Sequence, residues 1–521
     1  MLKRYGVCLA AAATLLGACA DLEVPTNPNS PPVPSGDPTP TQIEGLIGGT
    51  FRNFYYATHS ESGIALAMSV AADEHTSSAA NFAMIDFYQE PRRQIDNFVY
   101  YSNSPVLDYT WNRLYLTLSG ARSGLIPMKR ATNPVNLGAN RVRAEAWARF
   151  MQGLATGMVA LIYDRGYRMD ETTSSDQSPE LLSHDEMLAL SMQYLDQAIV
   201  LASGNTFTIP AEWAPSQSPI TSAYLARLAH SYKARFMAWE ARTPAERQAL
   251  NWNNIMAEVA AGVTSNFVLV IDDVNYSNGL GNYISPGWGW WDLRYAGMAE
   301  TTGTRYQTWW NTPVGARQPF RFGSVDARFP SSDTASTSSA KAFGKYVYFN
   351  GAAGGNPERG TYNWSEYADW RWSDYWEASD IPFDELTVTE MRLLRAEGLF
   401  RTGDLAGAAA IINETRVDNG ELPPATAAGI PNDPATCVPQ LGNGQCGSLF
   451  EALKWEKRVE IYGTTLGDWY FDSRGWGDLT EGTPIQFPIP PRESAGLGLV
   501  PYTFGGVGGN CAAGSTCVPV S

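Results

Sequence analysis

Three stretches of the chain repeat apolar residues with a helical period. Trp147, Phe150, Met151, Leu154, Met158 and Leu161 fall at i, i+3, i+4, i+7, i+11 and i+14, which predicts one stripe of a long helix. Leu225, Leu228, Ala229, Tyr232, Phe236 and Trp239 repeat those offsets, and Leu405, Ala408, Ala409 and Ile412 begin them again. Segments 184–202 and 252–264 also read as helices, so the first half is expected to be helix pairs joined by loops.

One pair is explicit. The run from Ala396 through Gly403-Asp404-Leu405, followed by Ala408 and Ala409, resembles a tetratricopeptide-type hairpin: Gly403 stands where the first helix must stop, and small alanines admit the second helix. Such pairs cannot bury their faces alone and are expected to stack. Between residues 270 and 380 the pattern changes to Gly, Asn, Ser, Tyr and Trp with little periodicity, apart from possible short strands near Lys345–Phe349. Residues 420–447 and 494–521 read as loops. The expected fold is mainly α: tetratricopeptide-like helix pairs forming a superhelical layer, packed against a loop-rich, Trp-rich region with few short strands.

The first residues add a compartment. Lys3 and Arg4 precede an apolar run, Gly6 to Leu16, that is too short to span a bilayer and ends in Leu16-Gly17-Ala18-Cys19. This resembles a bacterial lipobox, with residues 1–18 a lipoprotein signal peptide and Cys19 the lipidated residue; an ordinary secretory signal is the alternative. Several acyl chains on one cysteine make a stable anchor. Residues 19–42, with seven prolines from Pro25 to Pro40, read as a semi-rigid tether, and 43–521 as a single domain.

Composition narrows the function. The chain carries 53 Asp and Glu against 37 Lys and Arg, a net charge of −16, or −18 once Lys3 and Arg4 leave with the signal. That argues against a general nucleic-acid binder. With 4 His there is little room for histidine metal chemistry, and no cofactor or metal is expected. Of six Cys, Cys8 leaves with the signal. Cys437 with Cys446, and Cys511 with Cys517, each bracket a short Gly-rich loop and are expected to pair as disulfides; a metal site is the alternative, but no His lies near either pair.

Aromatic residues carry the candidate chemistry. Nine of the 17 Trp lie between Trp288 and Trp376. Sugar rings stack their C–H faces on aromatic planes, and Trp supplies rigid area at small entropic cost. Trp288, Trp290, Trp291, Trp309, Trp310, Trp370, Trp372 and Trp376 are therefore candidate ligand-binding residues. The competing reading is that these rings pack loops onto the helices or onto a partner. Asn81, Phe82, Phe87 and Tyr88 form a second polar-aromatic candidate in an early loop.

Three C-terminal blocks, in order, carry a family resemblance. Leu453-Lys454-Trp455-Glu456-Lys457-Arg458-Val459-Glu460-Ile461, Trp469-Tyr470-Phe471-Asp472-Ser473-Arg474 and Pro488-Ile489-Pro490-Pro491-Arg492-Glu493 are similar to blocks of the SusD/RagB family of outer-membrane nutrient-binding lipoproteins. They fall within residues 384–493. One departure is visible: Gly463 to Asp468 replaces the family's Glu-Gly-x-Arg. The resemblance implies a non-catalytic, lipid-anchored protein at the cell surface. Its role would be to bind a nutrient oligosaccharide and hand it to a SusC-like TonB-dependent transporter; a peptide ligand is the alternative.

Enzyme signals are poor. Asp369, Asp374 and Glu377 could supply the two acids of a glycosidase, Asp73-Glu74-His75 lacks a second zinc-binding His, and Ser338-Ser339-Ala340-Lys341 sits in a Ser/Thr loop without a partner motif. Glu456, Arg458, Glu460, Asp472 and Arg474 are expected to be structural Arg–carboxylate pairs.

Overall fold

The computed structural model describes residues 37–77, 81–174, 178–272, 274–284, 289–333, 342–349, 361–372, 381–465 and 467–507. The signal peptide, Cys19, most of the tether, Trp288, Trp376, Asp374, Glu377, residues 338–341, Cys511 and Cys517 lie outside the described residues.

Helices dominate. The chain opens with α1 (Pro40–Gly48), α2 (Thr50–His59), α3 (Ala65–Ala71), α4 (Met84–Tyr88) and α5 (Ser104–Lys129). It continues with α6 (Arg141–Ile162), α7 (His184–Ser203), α8 (Ser222–Trp239), α9 (Pro244–Ala249) and α10 (Trp252–Ala261). Three short helices follow in the aromatic region: α11 (Gly279–Tyr283), α12 (Leu293–Ala296) and α13 (Arg305–Trp310). The C-terminal part holds α14 (Val388–Thr402), α15 (Leu405–Asp418), α16 (Leu449–Ile461), α17 (Asp468–Trp476) and α18 (Pro491–Gly496). α1 starts at Pro40, where a proline's missing N–H costs nothing. One expectation is corrected here. Residues 84–88 are helical rather than loop, and Phe87 and Tyr88 are buried.

The long helices form a layer in which each packs on the next: α5 on α6, α6 on α7, α7 on α8, α8 on α10, α10 on α14 and α14 on α15. The apolar stripe expected for α6 is too modest a description. Every residue from Ala146 to Ile162 is buried, because α6 is covered by α5, α7 and α8 and by α1 and α2. The hairpin of α14 and α15 is present. Thr387 Oγ1 accepts from Glu390 N at 3.0 Å to start α14, Gly403 ends it at φ +93°, and Asp404 Oδ1 accepts from Gly407 N at 2.9 Å to start α15. A Cβ is strained at that φ, so Gly403→Ala is expected to cost about 1 kcal/mol, read as a lowered urea midpoint; an unchanged midpoint would refute the assignment.

Strands are short, as expected. They are β1 (Arg165–Tyr167), β2 (Leu181–Ser183), β3 (Phe267–Ile271), β4 (Ala342–Phe343), β5 (Val347–Phe349), β6 (Tyr367–Asp369) and β7 (Ile381–Leu386). β1 pairs with β2, β3 with β7, and β4-β5-β6 form a three-stranded antiparallel sheet. One hydrophobic core runs from Ile43 to Ile489, and a smaller one joins α14, α15 and α16 through Leu393, Ala408, Ile412 and Leu453.

The end of the described chain returns to its beginning. Ile95 N donates to the Phe504 carbonyl at 3.0 Å, Val507 N to the Arg92 carbonyl at 3.0 Å, and Asn97 Nδ2 to the Tyr502 carbonyl at 3.1 Å. Cys437 and Cys446 are disulfide-bonded, as expected, and close the loop before α16. No helix among the described residues is long and apolar enough to cross a membrane.

Candidate functional site

The sheet β4-β5-β6 builds an aromatic platform. Phe343 pairs in register with Tyr348, and Tyr348 with Ala368, so one face carries both rings. Tyr348 and Ala368 form a buried cluster with Trp290 beneath. Above it, Phe343 lies flat on Tyr348 with centroids 5.4 Å apart, and Trp370 meets both edge-on at 4.7 and 5.6 Å. Phe343 is 48% and Trp370 38% exposed, unusual for rings so well ordered by their neighbours. Two presented rings on a rigid aromatic base are what a sugar face needs.

A polar-aromatic rim adjoins the platform in the chain. Thr76 N donates to the Trp290 carbonyl at 2.8 Å and His75 bridges Trp291, which ties residues 75 and 76 to the start of the tryptophan region. Asn81, exposed, donates from Nδ2 to the Tyr283 hydroxyl at 3.3 Å, and Phe82 meets Tyr283 edge-on at 5.4 Å. Phe82 and Ala83 both hold positive φ, at 48° and 61°. Non-glycine residues rarely adopt that conformation, and strained pairs of this kind cluster at ligand-binding loops. The early candidate and the start of the tryptophan region are thus brought together.

Acidic groups lie under this face. Glu74 is buried, accepting from Ser69 Oγ at 2.5 Å and Gly463 N at 3.0 Å. Burial pushes its carboxyl up to about 7, with Asp369 adding to the rise. Burial likewise raises Asp369 to about 6, against the pull of Arg371, and lowers His75 to about 3. Asp369, offered above as half of a catalytic pair, is therefore an interior residue at the end of β6.

The remaining candidates divide. Trp290 and Trp291 are in the interior; Trp291 stacks on Tyr462 at 4.2 Å. Trp309 is buried under Arg317, whose guanidinium carbon stands 4.2 Å from the ring centroid. Tyr88 is buried and donates to Asp292 Oδ2 at 2.7 Å. None of these four presents a face to a ligand. They are core rings because the aromatic region has to bury its own loops on the helical layer. Trp372 is half-buried, its Nε1 donating to the Tyr462 carbonyl at 3.0 Å. Trp310 is 36% exposed and stands at a separate cleft. Phe343, Tyr348 and Tyr283 complete the site without having been singled out; the β-prone run Tyr346-Val347-Tyr348-Phe349 after Gly344-Lys345 is the signal that finds Tyr348.

Most charged residues of the C-terminal blocks make structural pairs. Glu456 and Glu460 bind Arg328, Asp472 binds Arg247 and Lys457, and Arg458 binds Asp478. Arg474 binds the backbone carbonyls of Leu161, Trp239 and Ile485 rather than a carboxylate. Among the described residues no group of three or more His, Cys, Asp or Glu could hold a metal ion.

No family model matches the chain, and no curated protein matches it significantly. Solved structures do. A SusD superfamily protein from Bacteroides vulgatus ATCC 8482 matches with TM-score 0.52 at 12% identity, over 84% of this chain and 88% of that one. A SusD-like protein from Bacteroides fragilis NCTC 9343 matches with TM-score 0.52 at 16% identity, over 84% and 86%. A SusD superfamily protein from Bacteroides thetaiotaomicron VPI-5482 matches with TM-score 0.52 at 14% identity, over 88% and 96%. The chain has the SusD-like fold.

Proposed function

We propose that this chain, with its SusD-like fold, is a SusD/RagB-family lipoprotein that binds a nutrient glycan non-catalytically at the cell surface. It delivers that glycan to a TonB-dependent outer-membrane transporter. The observation that carries the reading is the exposed Phe343–Trp370 pair on its Tyr348–Trp290 base. The lipobox, the three C-terminal blocks and the fold support the anchor and the partner. Trp288 and Trp376, outside the described residues, remain candidates by sequence alone.

Calorimetric titration against a panel of neutral oligosaccharides tests the ligand class. Trp370→Ala combined with Phe343→Ala is expected to weaken binding at least about tenfold, since base-free stacking contributes on the order of 1 kcal/mol per ring beyond area burial. Far-UV circular dichroism is expected to be unchanged. Peptide binding with no glycan binding would replace glycan by peptide. Release of reducing ends from polysaccharides would overturn the non-catalytic part. Co-purification with a SusC-like TonB-dependent transporter tests the partner.

A further inference from the structure

Away from the aromatic platform lies a cleft of about 300 Å³, at the small end of ligand sites, which run to roughly 1,000 Å³. None of its lining residues is shared with the platform or rim. Trp310 forms one wall, lying flat on Gly442. A Cβ at 442 would come within 2.3 Å of the indole, so only glycine admits the ring there. Gly442 belongs to the loop closed by the Cys437–Cys446 disulfide, and Gln440 N fastens that loop to the Met298 carbonyl at 2.8 Å. The wall is therefore built rather than incidental.

The opposite wall comes from α16. Lys454 and Arg458 stand one turn apart and share a helix face. Lys454 Nζ contacts Glu451 at 2.6 Å and Asp478 at 3.0 Å, which leaves one of its three N–H donors. Arg458 binds Asp478 at 2.5 Å through Nη2, while its buried Nε has no hydrogen-bond partner among the described residues. Buried donors without partners are rare and cost free energy unless a ligand or water meets them. Arg294 adds a third cation, 5.6 Å from the Trp310 ring centroid. Three cations against two acids give the lining a charge of 3 − 2 = +1, in a chain whose net charge is −16.

We propose that this cleft is a second binding site that takes one carboxylated sugar ring, a hexuronate. The ring stacks on Trp310 and the carboxylate accepts from Lys454 and Arg458. The assignment does not depend on the platform binding glycan, since the two surfaces share no residue.

Titration of the full-length protein with sodium D-glucuronate and, separately, with D-glucose tests it, following heat or tryptophan fluorescence. Glucuronate is expected to bind at least about tenfold more tightly than glucose, and more weakly at 0.5 M than at 0.05 M salt, since a charge pair at the cleft mouth is screened. Trp310→Ala and Lys454→Met are each expected to lose about tenfold or more, and Trp370→Ala nothing. Trp310 is partly exposed, so its variant keeps the test intact if Lys454→Met fails to fold. Equal affinity for glucose, no glucuronate binding at 10 mM (about ten times the 1 mM level that corresponds to roughly 4 kcal/mol), or unchanged binding by Trp310→Ala would each overturn the proposal. Loss of neutral-glycan binding at the platform with glucuronate binding intact would count against the proposed main function alone.

Discussion

Arg328→Met is expected to be the most destabilising single change in the protein, lowering stability by about 3–5 kcal/mol. Arg328 is fully buried and is the hub of an acidic nest. Its Nε and Nη2 donate to Asp326 at 2.9 and 2.8 Å, Nη1 to Glu456 at 2.6 Å and Glu460 at 2.9 Å, and Nη2 also to Glu456 at 3.0 Å. Among the described residues the other cation within 4 Å of Glu456 is Arg416, at 3.9 Å. Burial already pushes the Glu456 carboxyl up in spite of Arg328, with Asp326 adding to the rise. Without the guanidinium the nest holds buried, uncompensated charge, and protonation is the cheapest remedy. The deficit should therefore shrink as pH falls and the carboxyls take up protons. A urea midpoint within error of the parent at pH 8 would refute this. Arg328→Lys, which keeps the charge but not the fork, should fall between the two.

Glu74→Gln is expected to act in the opposite direction. The carboxyl titrates near 4.5 in an unfolded chain and near 7 here, so the folded state holds its proton more tightly. Below pH 4.5 both states are protonated and nothing is lost. Between 4.5 and 7 the unfolded chain ionises first, and folding loses stability that is fully gone above pH 7, on the order of 3 kcal/mol. Glutamine keeps the acceptor for Gly463 N and a donor toward Ser69 without the charge. The variant should be more stable than the parent at pH 8 and equal to it at pH 4, as read from urea midpoints across that range. A gap that does not change with pH would sink the idea. His75 works from the acid side. Its folded value is lowered to about 3, so its contribution is present above pH 6.5 and lost as pH falls toward 3. The two windows do not overlap: between about pH 4.5 and 6.5 both contributions are partly lost.

Much of the architecture was legible because helices advertise their buried face. The stripes of α6, α8 and α15 and the stop at Gly403 all stand where periodicity put them. The regular series Leu107, Trp111, Leu114, Leu118, Ala121, Leu125 and Met128 in α5 is as clear a stripe as any, and it too is buried. The aromatic region was legible only as a concentration of rings. Composition cannot say which face of a loop looks inward, so Trp290 and Trp370 read alike in sequence. They differ because β6 ends at Asp369, leaving Trp370 beyond the sheet, while Trp290 is covered by Tyr348. The acidic floor was hidden for a related reason. Glu74 and Asp369 are almost 300 residues apart, and only the fold brings Asp369 close enough to add to the rise of the Glu74 carboxyl.

The return of the last described residues to the first sets a schedule for biogenesis. Asn97 and Tyr502 are 405 residues apart in sequence. A ribosome adding roughly 5–20 residues per second needs about 20–80 s to cover that distance. During that time the backbone groups of residues 92–97 have no native partners. A chain that folds from its start therefore keeps this seam open until residues 502–507 arrive.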